Sequence, residues 1–82
     1  MARLRYFGRL MDLLGASSET LALPAGVTDT RALRRWLDND RHLGGALLEK
    51  SVRMVVNDEI VNDPWAISDA DEIAFLPPVG GG

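Results

Sequence analysis

Thr28-Asp29-Thr30-Arg31-Ala32-Leu33-Arg34-Arg35-Trp36-Leu37-Asp38-Asn39-Asp40 is the clearest helical stretch of the chain, and its reading decides the fold. Leu33, Trp36 and Leu37 fall on one face at helical spacing, while Arg31, Arg34, Arg35 and Asp38 fall on the opposite face. That pattern predicts a helix packed through its apolar stripe, with Arg31, Arg34 and Arg35 on a solvated face, or in second place on a patch for an acidic partner. Asp38 is expected to pair with Arg34 one turn away, a contact of about 0.3 kcal/mol. Thr28 or Asp29 can cap the start, and Asn39-Asp40 ends the helix.

On either side of this helix the pattern changes to strands. Residues 2–7 alternate: Leu4 and Tyr6 share one face, while Arg3, Arg5 and Phe7 share the other. Leu10, Leu13 and Leu14 then recur at the spacing of a short helix, closed by Gly15. Glu19–Leu23 alternates again, with Leu21 and Leu23 inward, and pairs antiparallel with the first strand. Beyond Asp40, residues 43–49 form a turn or two. Val52, Met54 and Val56 alternate with Arg53 and Val55; Asn57-Asp58 has turn chemistry; Ile60-Val61 returns. Asn62-Asp63-Pro64 is a break, Trp36, Trp65 and Ile67 read as core, and Ser68–Asp71 is a tight turn. Glu72-Ile73-Ala74-Phe75-Leu76 is the last strand, expected inside the sheet; it and the first strand are both candidates for the sheet centre. The order β-α-β-α-β-β-β predicts an α+β fold of the β-grasp kind, a mixed sheet covered by one main helix.

The chain has 82 residues, which predicts a single domain over 1–82 with a flexible C-terminal tail at 77–82. Its 46% hydrophobic and 26% charged content is that of a globular protein. The net charge of −3 argues against a nucleic-acid binder. There is no cysteine, so disulfides, thiol chemistry and cysteine metal sites are excluded, and no metal site is expected. The one histidine, His42, follows Asp40-Arg41 and reads as a solvated loop residue. No apolar run reaches membrane-spanning length, and residues 1–5 lack the apolar core of a signal peptide. The expected compartment is the cytoplasm, with no membrane partner.

After Leu76 the chain reads Pro77-Pro78-Val79-Gly80-Gly81-Gly82. The prolines hold the lead extended, and the glycines carry no Cβ. Such a segment finds no packing in its own domain, but it fits a slot too narrow for side chains. Its reactive group is the α-carboxylate of Gly82, ionised at pH 7 with a pKa of about 3.5. A carboxylate becomes a good electrophile only after activation, for example as an acyl-adenylate.

Phe75-Leu76-Pro77-Pro78-Val79-Gly80-Gly81-Gly82, preceded by Asp69-Ala70-Asp71-Glu72-Ile73-Ala74, resembles the C-terminus of the small subunits of molybdopterin synthase. Val55-Val56-Asn57-Asp58-Glu59, Tyr6-Phe7, Leu10 and Leu13-Leu14-Gly15 extend the resemblance over essentially the whole chain. The wider circle of this family takes in the sulfur carrier of thiamine synthesis and, more remotely, ubiquitin. The family usually has Gly where this chain has Ala70, so a turn with φ > 0 there is expected to cost about 1 kcal/mol.

The resemblance implies a sulfur carrier that has no catalytic side chain of its own and binds no cofactor. An adenylyltransferase similar to ubiquitin-activating enzymes would use ATP to adenylate Gly82. A persulfide would then convert it to a thiocarboxylate. The tail from Pro77, Pro78 and Val79 to Gly80 and Gly81 would enter the large subunit of molybdopterin synthase and deliver sulfur to cyclic pyranopterin monophosphate. Phe7 and Phe75 are the candidate contacts with that partner. A carrier for thiamine or another metabolite, a ubiquitin-like protein modifier and a plain interaction domain stay open as alternatives, with Pro77-Pro78 speaking against the thiamine carrier. Asp69, Asp71 and Glu72 read as a solvated turn, or as a docking patch for a basic surface.

Overall fold

The computed structural model describes residues 1–78. Five strands form one sheet in the order β2-β1-β5-β3-β4. They are β1 (Ala2–Tyr6), β2 (Ser18–Leu21), β3 (Arg53–Val56), β4 (Glu59–Val61) and β5 (Glu72–Leu76). β1 and β5 run parallel at the centre, and every other pair is antiparallel. Between β1 and β2 lies α1 (Arg9–Leu14), closed by Gly15 at φ 74°. Between β2 and β3 lie α2 (Thr30–Asp40) and a 3-10 turn at Ala46–Leu48. The fold is a ubiquitin-like β-grasp, and the expected element order holds throughout.

One face of the sheet carries the core. Ala2, Leu4 and Tyr6 of β1, Met54 and Val56 of β3, and Ile73 and Phe75 of β5 are buried there. Leu10 of α1, Leu33 and Leu37 of α2, and Leu47 close over them. Trp36 is only partly buried at the edge of this cluster. Burying a leucine of this kind contributes about 1.5–3 kcal/mol relative to exposure. α2 starts at Asp29, whose side chain accepts from the Ala32 backbone N–H at 2.8 Å. This settles the choice between Thr28 and Asp29, because the cap must satisfy an N–H of the first turn.

Two expectations about α2 are corrected. Arg34 is buried, not solvated. Its Nε and Nη2 donate to the Leu47 and Glu49 carbonyls at 2.7 and 2.6 Å, and Nη1 pairs with Asp63. Asp38 does not pair with Arg34. Its carboxylate accepts from the Gly45 and Leu47 N–H groups, both at 2.9 Å. The two side chains thus satisfy backbone groups of the 42–50 segment that would otherwise be buried unpaired. Trp65 is a third correction: it is 46% exposed, while Ile67 beside it is buried.

The two tight turns have clear local causes. Asn57 and Asp58 both take positive φ, 49° and 69°, as a two-residue hairpin turn requires. At Ser68–Asp71, the Asp71 N–H donates to the Ser68 carbonyl, while the Asp71 carboxylate accepts from the Ser68 N–H at 2.8 Å. Ala70 is not among the residues at positive φ, so the expected cost of alanine there does not arise.

Candidate functional site

The sheet sends its central strand out towards the glycine tail. β5 ends at Leu76, and Pro77 lies against Gly8 in the turn between β1 and α1. Gly8 takes φ 57° and ψ −138°, a conformation open essentially to glycine. A Cβ added there would stand 2.8 Å from Pro77 Cγ, so bare backbone is what lets the proline ring seat. The Phe7 N–H donates to the Phe75 carbonyl at 3.3 Å and carries the β1–β5 ladder one residue further. Pro77 therefore packs on its own domain, which corrects the expectation that the segment from Pro77 onward finds no packing there, while Pro78 beyond it is exposed. Val79, Gly80, Gly81 and Gly82 lie outside the described residues, and so does the expected flexibility of that part of the tail.

Beside this exit is the uncovered face of the sheet. The register aligns Arg5, Ala74, Val55 and Ile60 across β1, β5, β3 and β4, and places Leu76 opposite Arg53. Phe7, Val55, Ala74 and Leu76 line a shallow hollow of about 130 Å³ together with Arg5 and Glu72. Phe7 is 36% exposed, with the Arg5 guanidinium 5.3 Å from its ring centroid. Ile60 is 65% exposed. Arg3 and Arg5 flank Glu72 at 3.7 and 3.9 Å. The result is an apolar strip framed by charge and continuous with the exit at Pro77, which is the composition of a docking surface.

Phe75 does not belong to that strip, and its reading as a partner contact is corrected. It is fully buried, with its ring 5.5 Å from that of Tyr6 on the covered face. Its neighbours Ala74 and Leu76 point the other way. Val55, Ile60 and Leu76 are the surface residues that sequence reasoning missed. The pairing register was the signal needed, since none of the three stands out in its own strand.

The frame behind the exit is held by charge-assisted hydrogen bonds. Tyr6 Oη donates to Glu19 at 2.6 Å, and Arg41 donates to both Glu19 oxygens at 3.0 and 2.7 Å. The Arg41 hydrogen bonds hold the Glu19 carboxyl below the usual carboxylate range, against the opposing effect of burial. Burial, reinforced by the bond to Glu19, raises the Tyr6 phenol above its ordinary value. These bonds tie β1 and β2 to the end of α2.

Other candidates resolve into structural roles. Asp69 accepts from the Leu23 N–H at 2.8 Å, Asp71 from Asn57 and Ser68, and Glu72 pairs with Arg3 and Arg5. That acidic group is engaged within its own fold. His42 is exposed, at φ 56°, in the loop after α2. Among the described residues no group of three histidine, cysteine or carboxylate side chains could hold a metal, and no helix is long and apolar enough to cross a membrane.

The ThiS family profile matches residues 4–82, and the chain belongs to that family. It is 31% identical to the human molybdopterin synthase sulfur carrier subunit, over 94% of this chain and 89% of that protein. It is 31% identical to the Escherichia coli (strain K12) protein of the same name, with both chains covered completely. Among solved structures, a putative molybdopterin converting factor subunit 1 from Pyrococcus furiosus superposes with a TM-score of 0.74 at 26% identity, covering 95% of this chain and 97% of that one. The small archaeal modifier protein 1 of Methanosarcina acetivorans shares the fold with a TM-score of 0.77 at 18% identity, over 99% of this chain and 95% of that one.

Proposed function

We propose that this chain is the sulfur-carrier small subunit of a molybdopterin synthase, with Gly82 as the acyl carrier. The observation that carries this reading is the end-to-end match, at 31% identity, to a sulfur carrier subunit of that enzyme. The exit geometry supports it: the central strand β5 ends at Leu76, Pro77 seats against Gly8, and the apolar, uncovered strip lies beside that exit.

The chemistry follows from the chain end. The Gly82 carboxylate attacks the α-phosphorus of ATP on an adenylyltransferase, forming an acyl-adenylate and releasing pyrophosphate. A persulfide sulfur then displaces AMP. When a second thiol takes the donor's remaining sulfur into a disulfide, Gly82 is left as a thiocarboxylate. The lead from Pro77 to Gly81 threads into the large subunit, which holds cyclic pyranopterin monophosphate. The thiocarboxylate sulfur displaces an oxygen substituent from a pterin side-chain carbon, leaving the carrier joined to the pterin as a thioester. Water then cleaves the acyl–sulfur bond, so the sulfur stays on the pterin and Gly82 returns as the carboxylate for another round. Two deliveries complete one dithiolene. Phe7, Val55, Leu76 and Ile60 dock on the large subunit, and burying this strip supplies the affinity that the thin tail lacks. No side chain of the carrier takes part in bond making, so the carrier alone is not an enzyme. The modifier protein noted above shares only the fold with this chain, and that likeness carries no activity.

The test is a version extended by a few residues beyond Gly82. It is expected to support no molybdopterin formation in a reconstituted system with large subunit, adenylyltransferase, ATP and a persulfide source, because its Gly82 carbonyl is an amide. Full formation by the extended chain, with no protease to trim it, would overturn the proposal.

A further inference from the structure

Nine side chains of the sequence are cationic. Arg3, Arg5, Arg9, Arg34 and Arg41 make ion pairs. Among the described residues the remaining four, Arg31, Arg35, Lys50 and Arg53, make none. In an acidic chain these four would be expected to scatter, yet they gather in one place. Arg31, Arg35 and Lys50, with Arg34, Asp63 and Leu48, line a hollow of about 270 Å³ beside α2. Arg53 lines an adjoining hollow that shares Arg34, Lys50 and Asp63. Asp63 is the one carboxylate in the lining of either hollow, and Thr30 and Arg34 already engage it. The first hollow thus sets four cations against one occupied carboxylate.

The chemistry of the rim says what would fill it. Arg31 and Arg35 stand one helical turn apart, about 6 Å, which matches carboxylates a few residues apart on a peptide. Leu48 is 49% exposed in the same lining. A free phosphate has no use for an apolar side chain at its rim. A nucleic-acid strand would call for an aromatic platform, and no aromatic residue lines the hollow. The surface flanks α2, which covers the core face, so it remains open when the uncovered sheet face is occupied.

We propose that the surface formed by Arg31, Arg35, Lys50 and Leu48 docks an acidic peptide segment of a protein partner, with carboxylates on the cations and one aliphatic side chain on Leu48. This surface is separate from the tail and the apolar strip, and its occupancy does not depend on sulfur chemistry.

The probe is the blocked peptide acetyl-Glu-Glu-Leu-Asp-Glu-amide, titrated into the isotope-labelled full-length chain and followed by amide shifts. Saturable shifts are expected at residues 31, 35, 48 and 50. Reversing Arg31→Glu, Arg35→Glu and Lys50→Glu together is expected to weaken binding at least about tenfold, since the interaction is charge-led. Neutralising Arg35→Gln and Lys50→Gln gives a milder loss and serves if the triple variant folds poorly. Replacing the peptide's leucine by serine is expected to weaken binding a further few-fold, about the effect of one small apolar contact. Four results would overturn the proposal. They are no saturable shift, shifts spread over the whole surface, equal occupancy by inorganic phosphate at the same concentration, and equal occupancy by an eight-thymidine oligonucleotide.

Discussion

The two faces of the central strands differ in what a side chain is for. On the covered face Leu4, Tyr6, Ile73 and Phe75 are buried to 1% exposure or less and meet α1 and α2. On the other face Arg5, Ala74, Val55 and Ile60 lie in register, with Phe7 and Leu76 beside them, and no element of the described chain covers them. Adjacent residues of one strand therefore serve different ends: Phe75 holds the fold, and Leu76 is available to a partner. A sheet this small can spend one face on stability and keep the other for recognition because its core needs only one helix-covered side.

Substitutions on the two faces separate these roles. Phe75→Ala is expected to cost about 3–5 kcal/mol in denaturant unfolding, the range for emptying a buried aromatic site. A loss below 1 kcal/mol, on the order of a surface change, would mean Phe75 faces outward after all. Arg34→Met comes next, at about 3 kcal/mol, because it removes the cation paired with Asp63, leaving that carboxylate only its Thr30 hydrogen bond, and takes the donors from two carbonyls. A Lys replacement, with its point charge, is expected to recover only part of that loss in the same assay.

The Glu19 cluster gives an effect that depends on pH. Its carboxyl is held below its unfolded value, so its contribution is present in full above that value, about pH 4.5. The contribution declines as pH falls through the lower folded value. Glu19→Gln is expected to cost about 1–2 kcal/mol at pH 7, typical of hydrogen bonds to a charged group, and to narrow the gap from the parent as pH drops below about 4. A gap that widened on acidification would refute the assignment. The smallest stability effect is that of Phe7→Ala, about 0.5 kcal/mol, as for a surface position. Its affinity for the large subunit, measured by calorimetry, is nevertheless expected to fall about tenfold or more, as for an aromatic anchor.

The element order was legible because each strand and helix carries its own period, and Gly15, Asn57-Asp58 and Asp29 mark the ends. The face of Phe75 was not, because Ile73, Ala74, Phe75 and Leu76 are all apolar and alternation within such a run is mute. Only pairing with β1, which sets Phe75 opposite Tyr6, decides it. The burial of Arg34 and Asp38 was hidden for a different reason. Helical spacing puts them on the polar side, but the 42–50 segment folds back over that side and presents backbone groups that need them. A helical wheel sees only its own helix. For the candidate site, the tail announced itself in Pro77–Gly82, while the strip of Val55, Ile60 and Leu76 is assembled across three strands, the β3–β4 hairpin and β5, whose pairing no single strand's pattern shows.

The central claim is that the chain acts through its last carboxyl group. Its most direct test is mass spectrometry of proteolytic fragments after incubation with the adenylyltransferase, ATP and a persulfide donor. An oxygen-to-sulfur mass change on the peptide that ends at Gly82, and on no other peptide, is the predicted result. An unmodified C-terminal peptide after AMP and pyrophosphate have been released, or sulfur found on an internal peptide, would contradict it.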